Sequence, residues 1–185
     1  MTLHYLRRVL EPDLSSRCPS RFIHTDAGRY WFDPQDSWWT DVDEMRQLWT
    51  PARAADDAAI PALNRLLDYY RQGFLPEELY ADAFAGFRDA HSRGHDEALH
   101  TLLGLYRDRG RRYETLTCAQ QILDRDPYSE PTVTVLVEAH LEQGNRRAAI
   151  AELDRFLRVQ GEDLGVKPSR HLLALRQRVT GGPAR

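Results

Sequence analysis

The chemistry on offer in this sequence lies in its cations, its imidazoles and its aromatic rings. Arg7 and Arg8 adjoin each other one turn after His4, in Leu3-His4-Tyr5-Leu6-Arg7-Arg8-Val9-Leu10, and Arg21 and Arg29 flank a β-rich stretch soon after. Guanidinium groups on a helix and beside a hairpin suit phosphate oxygens and base edges; the plainer alternative is a solvated helix face with ordinary hairpin charges. His91 and His95 stand four apart, a spacing that can present two ligands to one metal ion from a helix. The positions that could add a third ligand on that face are Phe87, Arg88, Ala98 and Leu99, and none can ligate, so a solvated face is the reading for both histidines. Trp31, Trp38, Trp39 and Trp49 cluster closely enough to stack unpaired bases, but a hydrophobic seam between a hairpin and a helical domain accounts for them better. The two cysteines, Cys18 and Cys118, are far apart and read as reduced thiols without a chemical role.

Enzymatic chemistry finds no carrier. The sequence has no Gly-x-x-x-x-Gly-Lys-Ser/Thr phosphate loop, no His-Glu-x-x-His, no Gly-x-Ser-x-Gly and no Gly-x-Gly-x-x-Gly after a strand. The expectation is a protein that is not an enzyme, with no cofactor, no metal and no evident small-molecule substrate. At 185 residues with 42% hydrophobic and 29% charged residues, the chain can bury a real core. No apolar run is long enough to cross a bilayer, and Arg7 and Arg8 interrupt the place where a signal peptide would be apolar, so a cytoplasmic location without membrane contact is expected. A net charge of −3 argues against a surface built throughout for nucleic acid. That average hides a gradient: Arg7, Arg8, Arg17, Arg21 and Arg29 outnumber Glu11, Asp13 and Asp26 in the first 32 residues, and Asp33, Asp36, Asp41, Asp43 and Glu44 follow.

Apolar periodicity predicts a short amphipathic helix over 3–10, ended by Glu11-Pro12-Asp13. A hairpin follows, from Arg21 to Phe32 with its turn at Asp26-Ala27-Gly28, and then a short extended piece over 38–42 leading into a helix that Asp41 or Asp43 could cap. Beyond it the pattern predicts helices over 43–49, 56–71, 78–109, 112–125, 130–143, 146–160 and 169–179, with Gly86 and Gly94 as points where the long one could break.

Within that helical stretch a period of 34 residues emerges. Gly110 corresponds to Gly144, Leu99 to Val133, Leu102 to Leu136, Leu103 to Val137, Tyr106 to His140, Ile122 to Phe156 and Leu123 to Leu157, with Pro127 or Gly161 closing each unit. Leu63, Leu66, Leu67, Tyr70 and Gly73 begin a looser third copy. A helix-turn-helix unit of this length, unable to bury its apolar face alone, is the tetratricopeptide pattern.

Together with this array, Tyr70-Arg71-Gln72-Gly73-Phe74-Leu75-Pro76 and Glu162-Asp163-Leu164-Gly165-Val166-Lys167-Pro168-Ser169 resemble the bacterial transcriptional activator domain of the antibiotic regulatory protein family. The resemblance covers about residues 41 to 180, and Ala83-Phe84 stand near where that family has a Trp. It implies an all-α, tetratricopeptide-like module that follows a DNA-binding domain. Residues 3–12 are similar to the recognition helix of an OmpR-type winged helix, and the Phe22–Phe32 hairpin to its wing. The strands and two helices that precede a recognition helix in that family have no counterpart here.

The expected architecture is therefore mainly α: a tetratricopeptide-like helical array behind a short N-terminal helix and β-hairpin, the latter a truncated winged helix. The expected divisions are a winged-helix remnant over 1–40, the activator domain over 41–180 and a flexible tail over 181–185. The expected function is transcriptional regulation by protein–protein contact, with the transcription machinery or a second copy as partner. Double-stranded DNA would be the partner of the complete parent fold through His4, Arg7, Arg8, Arg21 and Arg29, and would bind this chain alone weakly or not at all. A stand-alone interaction scaffold without DNA binding is the alternative.

Overall fold

In the computed structural model, which describes residues 2–15, 18–34, 39–54 and 58–181, a short helix α1 (Thr2–Leu10) precedes a two-stranded antiparallel hairpin, β1 (Ile23–Asp26) and β2 (Arg29–Phe32). Seven helices follow: α2 (Asp41–Arg53), α3 (Ala59–Arg71), α4 (Ala85–Asp108), α5 (Arg112–Arg125), α6 (Glu130–Glu142), α7 (Arg146–Leu164) and α8 (Arg170–Thr180). Residues 1–44 and 45–185 form two compact units.

In the first unit Asp26 pairs with Arg29, so the hairpin turn consists of Ala27 and Gly28, both left-handed at φ 46° and 76°. Two successive positive φ angles give the primed turn whose twist matches that of the strands. Glu11 ties the helix to the hairpin. Its buried carboxylate accepts from the Ser20 hydroxyl and, at 3.2 Å, from the Arg21 backbone N–H. The extended piece expected over 38–42 is not a strand where it is described: Trp39 and Thr40 are irregular and the helix begins at Asp41. Its cap also differs from expectation. Thr40 Oγ1 accepts from the Asp43 N–H at 3.1 Å, and the Thr40 hydroxyl donates to Asp43 Oδ2 at 2.6 Å. Asp43 thus answers the cap as the third helical residue, leaving the capping position to Thr40. Trp38, together with the tail beyond Gly181, lies outside the described residues.

In the second unit consecutive helices from α3 to α8 pack on their neighbours, with α8 also reaching α6. The expected repeat register is the core. Leu63, Leu66, Leu67 and Tyr70 of α3, Leu99, Leu102, Leu103 and Tyr106 of α4, and Val133, Leu136 and Val137 of α6 are all buried. Gly110 and Gly144 end α4 and α6 in the left-handed conformation, at φ 66° and 72°. The next residues, Arg111 and Asn145, donate back to the Tyr106 and His140 carbonyls at 2.9 Å in each case. This is the same Schellman closure twice, which a side chain bearing a Cβ would strain.

Several helix boundaries differ from the sequence expectation: α2 begins two residues earlier and runs four residues further, to Arg53, α3 starts at Ala59 instead of 56, and two differences bear on the site and the repeat. α4 starts at Ala85 instead of 78, because Leu75 is left-handed (φ 44°) and 76–84 form two single 3-10 turns, Pro76–Glu78 and Asp82–Phe84. The Arg88 guanidinium satisfies their carbonyls, donating to Glu78 O at 3.0 Å and to Ala81 O at 3.1 Å. α7 runs through Gly161 and stops at Gly165, so Gly161 closes nothing. Gly86 and Gly94 do not break α4, and Gly94 has a positive purpose: a Cβ there would lie 2.2 Å from Tyr70 Oη. The Leu164–Ser169 motif links the last two helices, with Ser169 Oγ capping α8 through the Leu172 N–H at 3.1 Å and donating to Glu130 Oε1 at 2.5 Å.

Candidate functional site

The five cationic candidates of the first unit divide by what they already hold. Arg7 is half-buried and donates from a terminal nitrogen to the Ile23 carbonyl at 3.0 Å, so its guanidinium fastens α1 to β1. Arg21, although exposed, lies 3.4 Å from the Glu11 carboxylate and stacks over the Phe22 ring at 5.5 Å. His4 is exposed and meets Tyr5 edge-on. Arg8 and Arg29 are exposed and make no ion pair among the described residues, the former on α1 and the latter at the hairpin turn. Beside them the hairpin shows water a row of rings: Tyr30, Trp31 and Phe32 are all about half exposed, with Trp31 stacked on His24 at 5.3 Å.

The Ser20 hydroxyl, and after it the Arg21 contacts, hold the Glu11 carboxyl below its ordinary value against the opposing effect of burial. Glu11 therefore stays ionised in neutral solution and keeps the Arg21 backbone in place. Sequence reasoning gave this residue no part beyond ending the helix, since its partners lie nine and ten positions away.

The tryptophans have separate surroundings. Trp39 is exposed and donates Nε1 to Glu44 Oε2 at 3.1 Å. Trp49, half-buried on α2, donates Nε1 to Tyr70 Oη at 3.0 Å and carries Arg53 over its ring at 4.8 Å.

In the second unit a cleft of about 600 Å³ opens where α3 ends beside α4 and α5, its walls including Tyr70, Phe74, Arg88, His91, His95 and Arg125. His91 and His95 are not on a solvated face. Both are half-buried against Tyr70, His91 edge-on at 4.8 Å and His95 stacked at 5.7 Å. Burial chiefly, then the charge of Arg125, pushes the His95 imidazole below its ordinary value, so it is neutral near pH 7. Among the described residues no group of three or more His, Cys, Asp or Glu could hold a metal ion, and no helix is long and apolar enough to cross a membrane. Cys118 is buried, donates its thiol to the Leu99 carbonyl at 3.3 Å and is pushed up to about 12 by burial.

A family model described as the bacterial transcriptional activator domain matches residues 40–180. No curated protein matches the chain. Among solved structures, one described as Mycobacterium tuberculosis EmbR in complex with low affinity phosphopeptide is similar over 96% of this chain and 48% of that one, with 19% identity and a TM-score of 0.63. The chain thus spans about half the length of that relative, and the likeness is one of fold.

Proposed function

Because this chain belongs to the bacterial transcriptional activator domain family, we propose that it is a transcriptional activator module whose helical array recruits a protein partner while its first unit contacts double-stranded DNA. The array is a regulatory interaction module, and its stacked helices supply a surface for the transcription machinery or a second copy of the chain. The resemblance of α1 and the hairpin to a recognition helix and wing supports the DNA contact. So does one observation: Arg8 and Arg29 stay exposed and unpaired among the described residues, whereas Arg7 and Arg21 are engaged within the unit. On this reading Arg8, Arg29 and His4 meet phosphates or bases. Arg21 assists from the wing, and Arg7 acts by holding the helix on the hairpin.

The test is fluorescence anisotropy of a short labelled duplex of mixed sequence, titrated with the whole chain over a range of salt. Binding should weaken with salt with a log–log slope of about −0.9 for each phosphate neutralised. Replacing Arg8 and Arg29 with Ala should reduce that slope by about 1 per lost contact, at unchanged helix content. Binding that ignores both salt and the double substitution would refute the DNA contact. No binding at all would favour the second reading, a protein-interaction scaffold without DNA contact, which the internal engagement of Arg7 and Arg21 supports.

A further inference from the structure

We propose that the cleft where α3 ends beside α4 and α5 is a binding site for a small planar aromatic carboxylate. Its volume, about 600 Å³, is in the range of pockets that enclose a small molecule. Three features define the ligand. The first is a continuous run of rings. Among the lining residues Phe74 meets His91 at 6.3 Å, His91 meets Tyr70 at 4.8 Å, and Tyr70 stacks on His95 at 5.7 Å, while exposed Phe87, outside the lining, backs Phe74 at 5.7 Å. A flat aromatic ligand extends such a run at the same spacing.

The second feature is charge. Arg71, Arg88 and Arg125 line the cleft against a single lining carboxylate, Asp124, which accepts from Gln120 Nε2 at 2.8 Å. Arg125 is matched by Asp96 at 2.7 Å, and Arg71 approaches Asp68 at 3.5 Å. Arg88 is different. It is half-buried and its guanidinium donates to two backbone carbonyls, so its position is fixed while no carboxylate among the described residues neutralises it. A guanidinium anchored in this way has its remaining N–H donors to offer, and a planar carboxylate fits a fork of that kind.

The third feature is the neutrality of His95. Its ring is kept uncharged chiefly by burial, and by Arg125, His91 and Arg71 against the opposing pull of Asp96, so it offers a face for stacking in a field that favours an anion. Leu75, a non-glycine residue in the left-handed conformation, begins the turn that carries Leu79 to the cleft wall. Strain of this sort is held where the surrounding structure fixes it. Nothing in this assignment requires DNA or a protein partner.

Calorimetric titration of the whole chain with 2-naphthoate tests the assignment against two isosteres, neutral 2-naphthylmethanol and non-aromatic decahydronaphthalene-2-carboxylate. The expected result is one saturable site per chain, with 2-naphthoate bound about tenfold tighter than either isostere. Arg88→Gln should remove most of the preference for 2-naphthoate over 2-naphthylmethanol. Phe74→Leu, which leaves the arginines in place, should remove most of the preference over decahydronaphthalene-2-carboxylate, so the proposal stays testable if Arg88→Gln loosens the 76–84 turns. Failure to saturate, equal affinity for all three probes, or indifference to Phe74→Leu overturns it.

Discussion

Replacing Gly94 with Ala inverts the usual consequence of that change in a helix. At an unhindered site inside a helix, Gly→Ala stabilises by roughly 1 kcal/mol. At Gly94 the new Cβ would fall 2.2 Å from Tyr70 Oη, 2.7 Å from Cζ and 3.1 Å from Cε1. The tyrosine cannot step aside cheaply. Its hydroxyl receives the Trp49 indole N–H at 3.0 Å, and its ring lies between His91 and His95. Overpacking costs about 1–3 kcal/mol and the displaced hydrogen bond about 1 kcal/mol, which together exceed the propensity gain. The net expectation is a loss of roughly 1–3 kcal/mol, at about 2–4 °C of Tm per kcal/mol for a chain of this size. Urea and thermal unfolding of Gly94→Ala are best compared with Gly104→Ala, because a Cβ at Gly104 of the same helix meets nothing within 4 Å. The control should gain stability where Gly94→Ala loses it. Adding Tyr70→Leu to Gly94→Ala should recover part of the loss, giving a coupling energy that neither single change predicts. Equal stability of the two Gly→Ala variants would refute the close approach.

Three further outcomes follow from local geometry. Ala27, left-handed in the hairpin turn, should accept Asn with a gain of about 0.5–1 kcal/mol, read as slower amide hydrogen exchange in the β1–β2 ladder; faster exchange would contradict the primed turn. Glu11 has a folded-state pKa below its unfolded one, so its contribution is complete above the unfolded value and is lost as pH falls through the folded value. Glu11→Gln should therefore flatten the acid limb of hairpin stability, and an unaltered limb in an NMR-monitored pH titration would argue against the Ser20 and Arg21 contacts. Exposed Cys18 should react with Ellman's reagent at about pH 8 while Cys118 reacts only in denaturant; rapid labelling of both in the folded chain would show that α4 and α5 are not closed over Cys118.

The helical array was legible because its information is periodic. Leu99, Leu102, Leu103 and Tyr106 return as Val133, Leu136, Val137 and His140, and the glycine that ends each helix returns with them, so one register carried both the buried face and the turn. What escaped depends on partners distant in sequence. Helical spacing correctly makes α1 amphipathic, but Arg7 is fixed by the Ile23 carbonyl sixteen residues later. Their own helix supplies no third ligand and so points His91 and His95 to solvent, whereas the ring that covers them comes from Tyr70 on α3. The start of α4 departs from the periodic pattern for a related reason. Nothing local to 78–84 forbids helix, but Leu75 turns left-handed before Pro76, and the Arg88 side chain takes the Glu78 and Ala81 carbonyls.

The same repeat position shows how a periodic core admits local chemistry. Tyr70 and Tyr106 close successive first helices, and each carries its hydroxyl to a donor from an earlier helix: Trp49 of α2 at 3.0 Å, and Asn64 of α3 at 3.2 Å. In the next unit the ring is His140, and the residue that follows Leu99 as Asn64 follows Leu63 is His100, which is exposed and makes no hydrogen bond to it. His140 Nδ1 is accordingly buried without a partner among the described residues. An unpaired buried polar atom costs about 1–3 kcal/mol, so the repeat's shape is kept at this position while its hydrogen bond is not. The array is thus graded. At its α2–α4 end each ring is latched by a polar tip, and there the rings continue into the cationic cleft; at its α6 end packing alone holds the ring. A repeat protein whose stability is the sum of neighbouring interfaces can differ in this way from one end to the other without altering its fold. The cleft is therefore set against the part of the array whose rings are most firmly fixed, as a site that must present aromatic faces and an anchored guanidinium in register requires.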